Sequence, residues 1–286
     1  MSSANKIIYN TFMKKPTQLS PPGLGDYLRG CVYLYKLQQK LGFTLKVDVF
    51  HHPIGKYLEN PPGEENLATT TTECLVWWNS RYSGEAIEKM LTTSSTNSSF
   101  YITKAWYDYF HTNTINSDER AFFQDLLKPS PAIKSLVDTY VPTTPFTLLH
   151  VRCGDDQLVK GVANTTETTK FLNILHDNLT KITENPVFLI TDSPPFKEAA
   201  TKQFGFSSTP YKPSHSGLVN NDLEGTVVEF FIMARATKII CLSSYSWIST
   251  FSTMCSAMYN IPIETLTDIT TCGNQCMKNC RFTKHT

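Results

Sequence analysis

From residue 146 onward the chain repeats one pattern: a short run of consecutive apolar residues, a polar break, then an amphipathic stretch. "FTLLHVR" precedes "TKFLNILHDNLTKI", "PVFLITD" precedes "PFKEAATKQFG", and "GTVVEFFIMARA", "TKIICLS" and "SWISTFSTMCSAMYN" follow in turn. Apolar runs without alternation belong to strands covered on both faces, and the 3.6-residue periodicity between them belongs to the covering helices. The pattern predicts an α/β fold with a parallel sheet. Ligands of such sheets bind beyond the carboxyl ends of the strands, so the residues that follow each apolar run are the candidate site.

The first run ends in "HVRCGDD", where His150, Arg152, Asp155 and Asp156 crowd a glycine turn. A guanidinium there offers a fixed fork of donors suited to phosphate oxygens; its structural alternative is a salt bridge to a carboxylate. The second run ends in "ITDS", placing Thr191, Asp192 and Ser193 at the same edge, where Asp192 or Ser193 could equally be a plain helix cap. The third ends in "CLSSYSW", with Ser243, Ser244 and Ser246 beside the uncovered amides of the next helix. A cation, a carboxylate and a hydroxyl cluster at one sheet edge describe a pocket for a nucleotide diphosphate.

The first half is less regular. In "PPGLGDYLRGCVYLYKLQQKLGF" the glycines Gly23 and Gly25 form a loop that opens an amphipathic helix bearing Leu28, Val32, Leu34, Leu37 and Leu41. A glycine-rich turn ahead of a helix can face an anion. No Lys-Ser or Lys-Thr follows, so it is no Walker loop, and Leu28 stands where a dinucleotide fingerprint needs its third glycine. "TLKVDVFH" and "ECLVWWN" read as strands and "GEAIEKML" as a helix. "SDERAFFQDLLKPSPAIKSLVDTYV" reads as a helix capped by Ser117 and stopped near Pro129, then a second helix. The Pro-Thr cluster from Pro142 to Pro145 marks a domain boundary, giving expected units of 1–143 and 144–262 and a cysteine-containing tail, 263–286.

A formal charge of +1 over 286 residues excludes a nucleic-acid or anionic-membrane partner held by bulk electrostatics, so any anion site must be local. No stretch reaches the roughly 18 apolar residues of a bilayer span, and "MSSANKIIYNTFMKK" lacks the apolar core of a signal peptide, which leads to the expectation of a cytoplasmic protein. Cys31, Cys74, Cys153, Cys241 and Cys255 sit singly in apolar surroundings, as buried thiols do. Cys272, Cys276 and Cys280, with only His285 nearby, are an incomplete zinc set, and no metal is expected. Trp77, Trp78, Trp106, Tyr107 and Tyr109 suit either sugar stacking or an ordinary core.

"HVRCGD", "FLITDS" and "EFFIMARATKIICLSSYSWIS" resemble, in order and spacing, three motif blocks of the fucosyltransferase superfamily. "GLGDYLRG" is similar to the N-terminal glycine loop of its bacterial nodulation branch. The blocks anchor residues 20–43 and 147–260. The resemblance implies a GT-B architecture: two Rossmann-like domains with parallel sheets facing a cleft, the first on the acceptor side and the second binding the nucleotide sugar. It implies inverting transfer from GDP-fucose to a glycan hydroxyl, with neither metal nor cofactor. Carried over, Arg152 would hold the β-phosphate and His150 would lie near the ribose or phosphate. Ser243, Ser244, Tyr245 and Ser246 would wrap the diphosphate, Glu229 would contact the nucleoside, and Asp192 would support the cleft, with Gly23 and Gly25 giving close backbone approach. Asp26, Asp155 and Asp156 are the candidates for the base that inversion needs. Cys153 stands where many members have a second arginine, and Tyr245 replaces a phenylalanine. A related enzyme using another nucleotide sugar, such as UDP-xylose, or a catalytically silent nucleotide-sugar- or glycan-binding protein are the alternatives.

Overall fold

The computed structural model describes residues 7–11, 23–50, 52–63, 89, 92–93, 99–102, 115–154, 165–183, 185–214, 222–245 and 247–266. In chain order these form β1 (Ile7–Thr11), α1 (Leu24–Leu41), β2 (Thr44–Asp48), a 3-10 turn (Gly55–Tyr57), β3 (Ser99–Ile102), α2 (Ser117–Leu126), α3 (Pro131–Tyr140) and β4 (Thr147–Arg152). They continue with α4 (Thr165–Asp177), α5 (Leu179–Ile182), β5 (Val187–Thr191), α6 (Pro194–Phe204), β6 (Ser207–Ser208), α7 (Glu224–Met233), β7 (Lys238–Ser243), α8 (Thr250–Tyr259) and β8 (Ile263–Thr265).

Two sheets result, ordered β2-β1-β3 and β6-β5-β4-β7-β8, and every pairing in them is parallel. In the second sheet the chain runs outward from β4 through β5 to β6, then returns to the other side of β4 for β7 and β8. The direction of winding reverses between β4 and β7, and it is beyond the strand ends at such a reversal that doubly wound sheets in general hold their ligands. Register there sets Arg152 opposite Ser243.

Strand alternation divides the apolar side chains between two cores. Leu149, Val151, Leu189, Ile240 and Leu242 pack with Phe171 and Leu175 of α4 and Phe196 and Ala200 of α6. Leu148, Phe188, Ile190, Ile239 and Cys241 face the opposite way, into a core that also holds Leu24, Leu28 and Val32 of α1, Val47 of β2, Phe123 of α2, most of α7 and Met254 of α8. That second core is continuous from the first sheet to the second. α7 is buried nearly all round, from Gly225 to Met233, as its uniformly apolar sequence requires.

The helix ends follow local chemistry, with corrections to the sequence reading. α1 starts at Leu24 with Gly23 at its N-cap, so Gly25 and Asp26 belong to the helix and not to a loop before it. α2 is capped by Asn116, not Ser117: the Asn116 side chain accepts from Glu119 N at 2.9 Å while the Glu119 carboxylate accepts from Asn116 N at 2.8 Å, a reciprocal box. Glu119 also pairs with Lys36 of α1 at 3.0 Å, tying the two helices together. The single helix expected over 169–182 is broken at Asn178 into α4 and α5, and α8 begins at Thr250, four residues later than expected. β1, β3, β6 and β8 were not anticipated, being short strands whose partners are distant in sequence. β8 carries the second sheet past residue 262. "ECLVWWN" and "GEAIEKML" fall outside the described residues, except for Lys89, which is helical. Among the described residues no helix is long and apolar enough to cross a membrane.

Candidate functional site

Arg152, Asp192 and Ser243 stand at or just past the ends of β4, β5 and β7. The alternation that sends Leu148, Ile190 and Cys241 toward α1 and α8 sends these three to the same side. Arg152 Nη1 donates to Asp192 Oδ2 at 2.5 Å, in a pair that is largely buried, with side chains 17% and 6% exposed. Asp192 also accepts from the Cys153 amide at 2.6 Å and the Gly154 amide at 3.1 Å. One carboxylate therefore fixes both the guanidinium and the turn that follows β4. Burial raises the Asp192 carboxyl above its ordinary range, against the lowering effect of Arg152 and of those amides.

Gly154 adopts φ +119, a conformation that side chains disfavour. A Cβ at Gly154 would lie 3.5 Å from Ser244 Oγ and 3.6 Å from Tyr245 Oη, so the β4 turn and the β7 loop face each other closely. The Ser244 amide extends the ladder to Arg152 O at 2.9 Å, and the Tyr245 amide donates to Ser243 Oγ at 3.1 Å. Arg152, Ser243, Ser244 and Tyr245 are thus brought together.

His150, one turn of pleat below, bonds through Nδ1 to Ser252 Oγ of α8 and lies 5.8 Å from the Phe251 ring. Burial first, and the Arg152 charge second, push it from 6.5 down to about 3, so it is a neutral imidazole at physiological pH. Glu229 lies toward the other edge of the sheet, where its carboxylate accepts from Thr209 Oγ1 at 2.5 Å and from Lys197 Nζ at 3.4 Å. Burial raises that carboxyl as well. Lys197 also donates to Tyr211 O at 2.8 Å, so the Glu229 pair is part of a polar network beneath α6 and α7.

Gly25 is engaged differently from the sequence expectation of close approach to a ligand. A Cβ there would come within 2.4 Å of Phe251 N and 2.5 Å of Thr250 C. The glycine lets the first turn of α1 lie directly on the first turn of α8, bringing the positive ends of two helix dipoles together. Gly23 caps α1, with its carbonyl accepting from Tyr27 N at 3.0 Å, and Asp26 supplies the acid of that first turn. Asp155, Asp156 and Ser246 lie outside the described residues, as do the five first-half aromatics, Cys74 and the tail cysteines. Cys31, Cys153, Cys241 and Cys255 are buried. Burial raises Cys153 and Cys255, and Cys241 is pushed up to about 12, which makes them inert thiols. Among the described residues no three His, Cys, Asp or Glu side chains are grouped to hold a metal ion.

Sequence reasoning missed Ser252, Thr250, Phe251, Lys197 and Thr209, whose roles come from contacts across the fold. It also passed over Trp247, although the motif block that carries it was recognised. A cavity of about 520 Å³ opens beside β2 and α2, lined by residues including Leu45, Asp48, Phe122 and Asp125. Neither Arg152, Asp192 nor the residues from Ser243 to Tyr245 line it, and its Glu59 and Lys128 pair with each other at 3.0 Å.

The architecture is that of an α/β protein of the GT-B fold, with two parallel Rossmann-like sheets. Its solved structural neighbours include the fucosyltransferase NodZ from Bradyrhizobium, with a TM-score of 0.54 and 15% identity over 91% of this chain and 94% of that one. POFUT1 in complex with GDP is another, with a TM-score of 0.50 and 12% identity over 93% of this chain and 99% of that one. At these identities the likeness is one of fold. No protein-family model and no curated protein matches the chain in sequence.

Proposed function

We propose that this chain is a glycosyltransferase that takes its sugar from a nucleotide diphosphate, with GDP-fucose as donor and a glycan hydroxyl as acceptor. The observation that carries the reading is the joining of Arg152, clasped by Asp192, to Ser243, Ser244 and Tyr245 at the switch point of a GT-B fold. The structural neighbours, a fucosyltransferase and a GDP complex, support the donor class. In this reading residues 1–143 form the acceptor side, and the donor side runs from residue 144 through β8 of the second sheet.

Sugar transfer needs the nucleotide to depart with its negative charge while positive charge grows on the sugar ring. Donors fixed in advance around the diphosphate lower that barrier without reorganising during the reaction. Arg152 is fixed in this sense: its planar fork has donors in more than one direction, so anchoring on Asp192 is compatible with reaching a phosphate. Ser243, Ser244, Tyr245 and Ser246 would add hydroxyls, and the paired amino ends of α1 and α8 would add a positive field. These groups would supply the charge stabilisation that metal-dependent transferases take from a cation, and the transfer is read as inverting. Neutral His150 would contribute a hydrogen bond rather than a charge, and Glu229 would serve the nucleoside end through its network with Lys197 and Thr209. Asp26, Asp155 and Asp156 remain the candidates for the base.

A donor based on UDP is the second reading, favoured by Cys153: it is a buried thiol where many fucosyltransferases have a second guanidinium. A thermal-shift series with GDP, UDP, GDP-fucose and UDP-sugars decides between them, because a ligand bound only by the folded chain raises its melting point. GDP-fucose is expected to give the largest shift. Stabilisation by no nucleotide at all would overturn the reading, and binding without consumption of donor in the presence of glycans would assign a silent binding protein instead.

A further inference from the structure

Trp247 and Phe50 are the exposed large apolar side chains among the described residues, and Trp247 is 53% exposed. Its indole is nevertheless held in place: it stacks on Tyr245 with centroids 4.6 Å apart and planes 11° from parallel. Tyr245 is positioned in turn by the hydrogen bond that its backbone N–H donates to Ser243 Oγ at 3.1 Å and by the approach of its hydroxyl to Gly154. The two rings form a stack beside the strand ends, with Tyr245 on the Gly154 side and Trp247 toward solvent. Three and four residues on, Thr250 and Phe251 meet Gly25 of α1, so the loop that carries the indole leads directly into the contact between the two halves of the molecule.

A flat aromatic face that is rigid before binding loses little conformational freedom when it receives a ligand. Its chemistry suits a pyranose, which lays one face of C–H bonds on the ring and keeps its hydroxyls at the edge, in water. A nucleobase would stack too, but the diphosphate reading occupies the crevice on the inner side of Tyr245. A ring on the outer side of Trp247 lies where a second substrate arrives from solvent. Half exposure also fits an oligosaccharide, of which only one unit need be held.

We propose that the outward face of Trp247 is a sugar-stacking subsite for the acceptor glycan, an assignment that rests on the glycosyltransferase reading above. The test compares the full chain with Trp247→Ala and Trp247→Phe in two measurements: the thermal shift produced by GDP, and binding of fluorescently labelled protein to an array of immobilised oligosaccharides with and without GDP. All three proteins are expected to show the same GDP shift. Glycan binding should fall about tenfold or more in Trp247→Ala and stay within a few-fold in Trp247→Phe, because the aromatic face is what binds. Glycan binding unchanged in Trp247→Ala, or no glycan bound by the parent chain, would overturn the subsite. Loss of the GDP shift in Trp247→Ala would overturn it by assigning the indole to the donor site, at the nucleobase or in support of Tyr245. Absence of a GDP shift in the parent chain would sink the GDP-donor reading, while the array separately reports whether Trp247 binds sugar.

Discussion

Arg152 and Asp192 meet at 2.5 Å across the ends of β4 and β5, and the same carboxylate holds the amides of Cys153 and Gly154. Asp192 is therefore the organising member of the pair. Arg152 is the member whose planar fork of donors suits a phosphate.

The two alanine variants should separate accordingly. Asp192→Ala removes from a largely buried turn the carboxylate that holds a guanidinium and two amides and should lower stability by about 3 kcal/mol. Arg152→Ala leaves Asp192 with its two amides and should cost about 1 kcal/mol, yet abolish stabilisation by GDP and turnover of donor. Urea unfolding and nucleotide thermal shifts measure both quantities. A parental GDP shift in Arg152→Ala would refute the phosphate role.

Gly25→Ala tests the contact between α1 and α8. The added methyl meets backbone atoms, Phe251 N and Thr250 C, so no side-chain rotation can relieve it. The helices must separate, at a cost of about 3 kcal/mol in chemical denaturation. A change below about 0.5 kcal/mol would show that the two helix ends do not pack as described.

Tyr57→Phe removes a hydroxyl that donates to Asp222 and accepts from the Leu223 amide at 3.2 Å. Tyr57 follows β2, whereas Asp222 and Leu223 lead into α7, so this hydroxyl joins the first half of the chain to the second. The loss should be about 1–2 kcal/mol. Hydrogen exchange at the Leu223 amide should accelerate more than exchange in the middle of α7.

His52 and His150 should make stability fall in mild acid. Burial lowers both from 6.5 to about 3, with the Arg152 charge adding to the effect at His150. Between those values the unfolded chain binds a proton at each site and the folded chain does not. The contribution is complete above 6.5 and is lost progressively as pH falls toward 3. Going from pH 7 to pH 5 should cost about 2 kcal/mol per histidine. Asp192 and Glu229, raised by burial, act with the opposite sign above 3.8 and 4.5, but equally in every protein compared. His52→Gln and His150→Gln should therefore each flatten the profile, and an unchanged slope in both would show that these imidazoles are not buried neutral.

The three long strands of the second sheet, β4, β5 and β7, their parallel direction and the residues at their ends were legible in the sequence because each rests on local signals: uninterrupted apolar runs, helical periodicity, and polar residues where the runs stop. The short strands were not. β6 is Ser207–Ser208 and β8 is Ile263–Thr265, with no composition of their own, and they exist because β5 and β7 present edges to them. Helix limits were legible to within a few residues, until Asn178 broke one and Gly23 moved the start of another.

The sequence by itself determined an α/β chain with Arg152, Asp192 and the Ser243–Tyr245 cluster at strand ends. Only the tertiary structure decided that Asp192 clasps Arg152 from 40 positions away, and that Ser252 reaches His150 from 102 away. It alone decided that Gly25 spends its missing side chain on α8, and that Trp247 is held flat on Tyr245 and turned to solvent. The reason is physical: periodicity encodes which face of an element is buried, whereas these contacts depend on the lateral order of the strands and the crossing of helices. Those are properties of the assembled core and not of any segment within it.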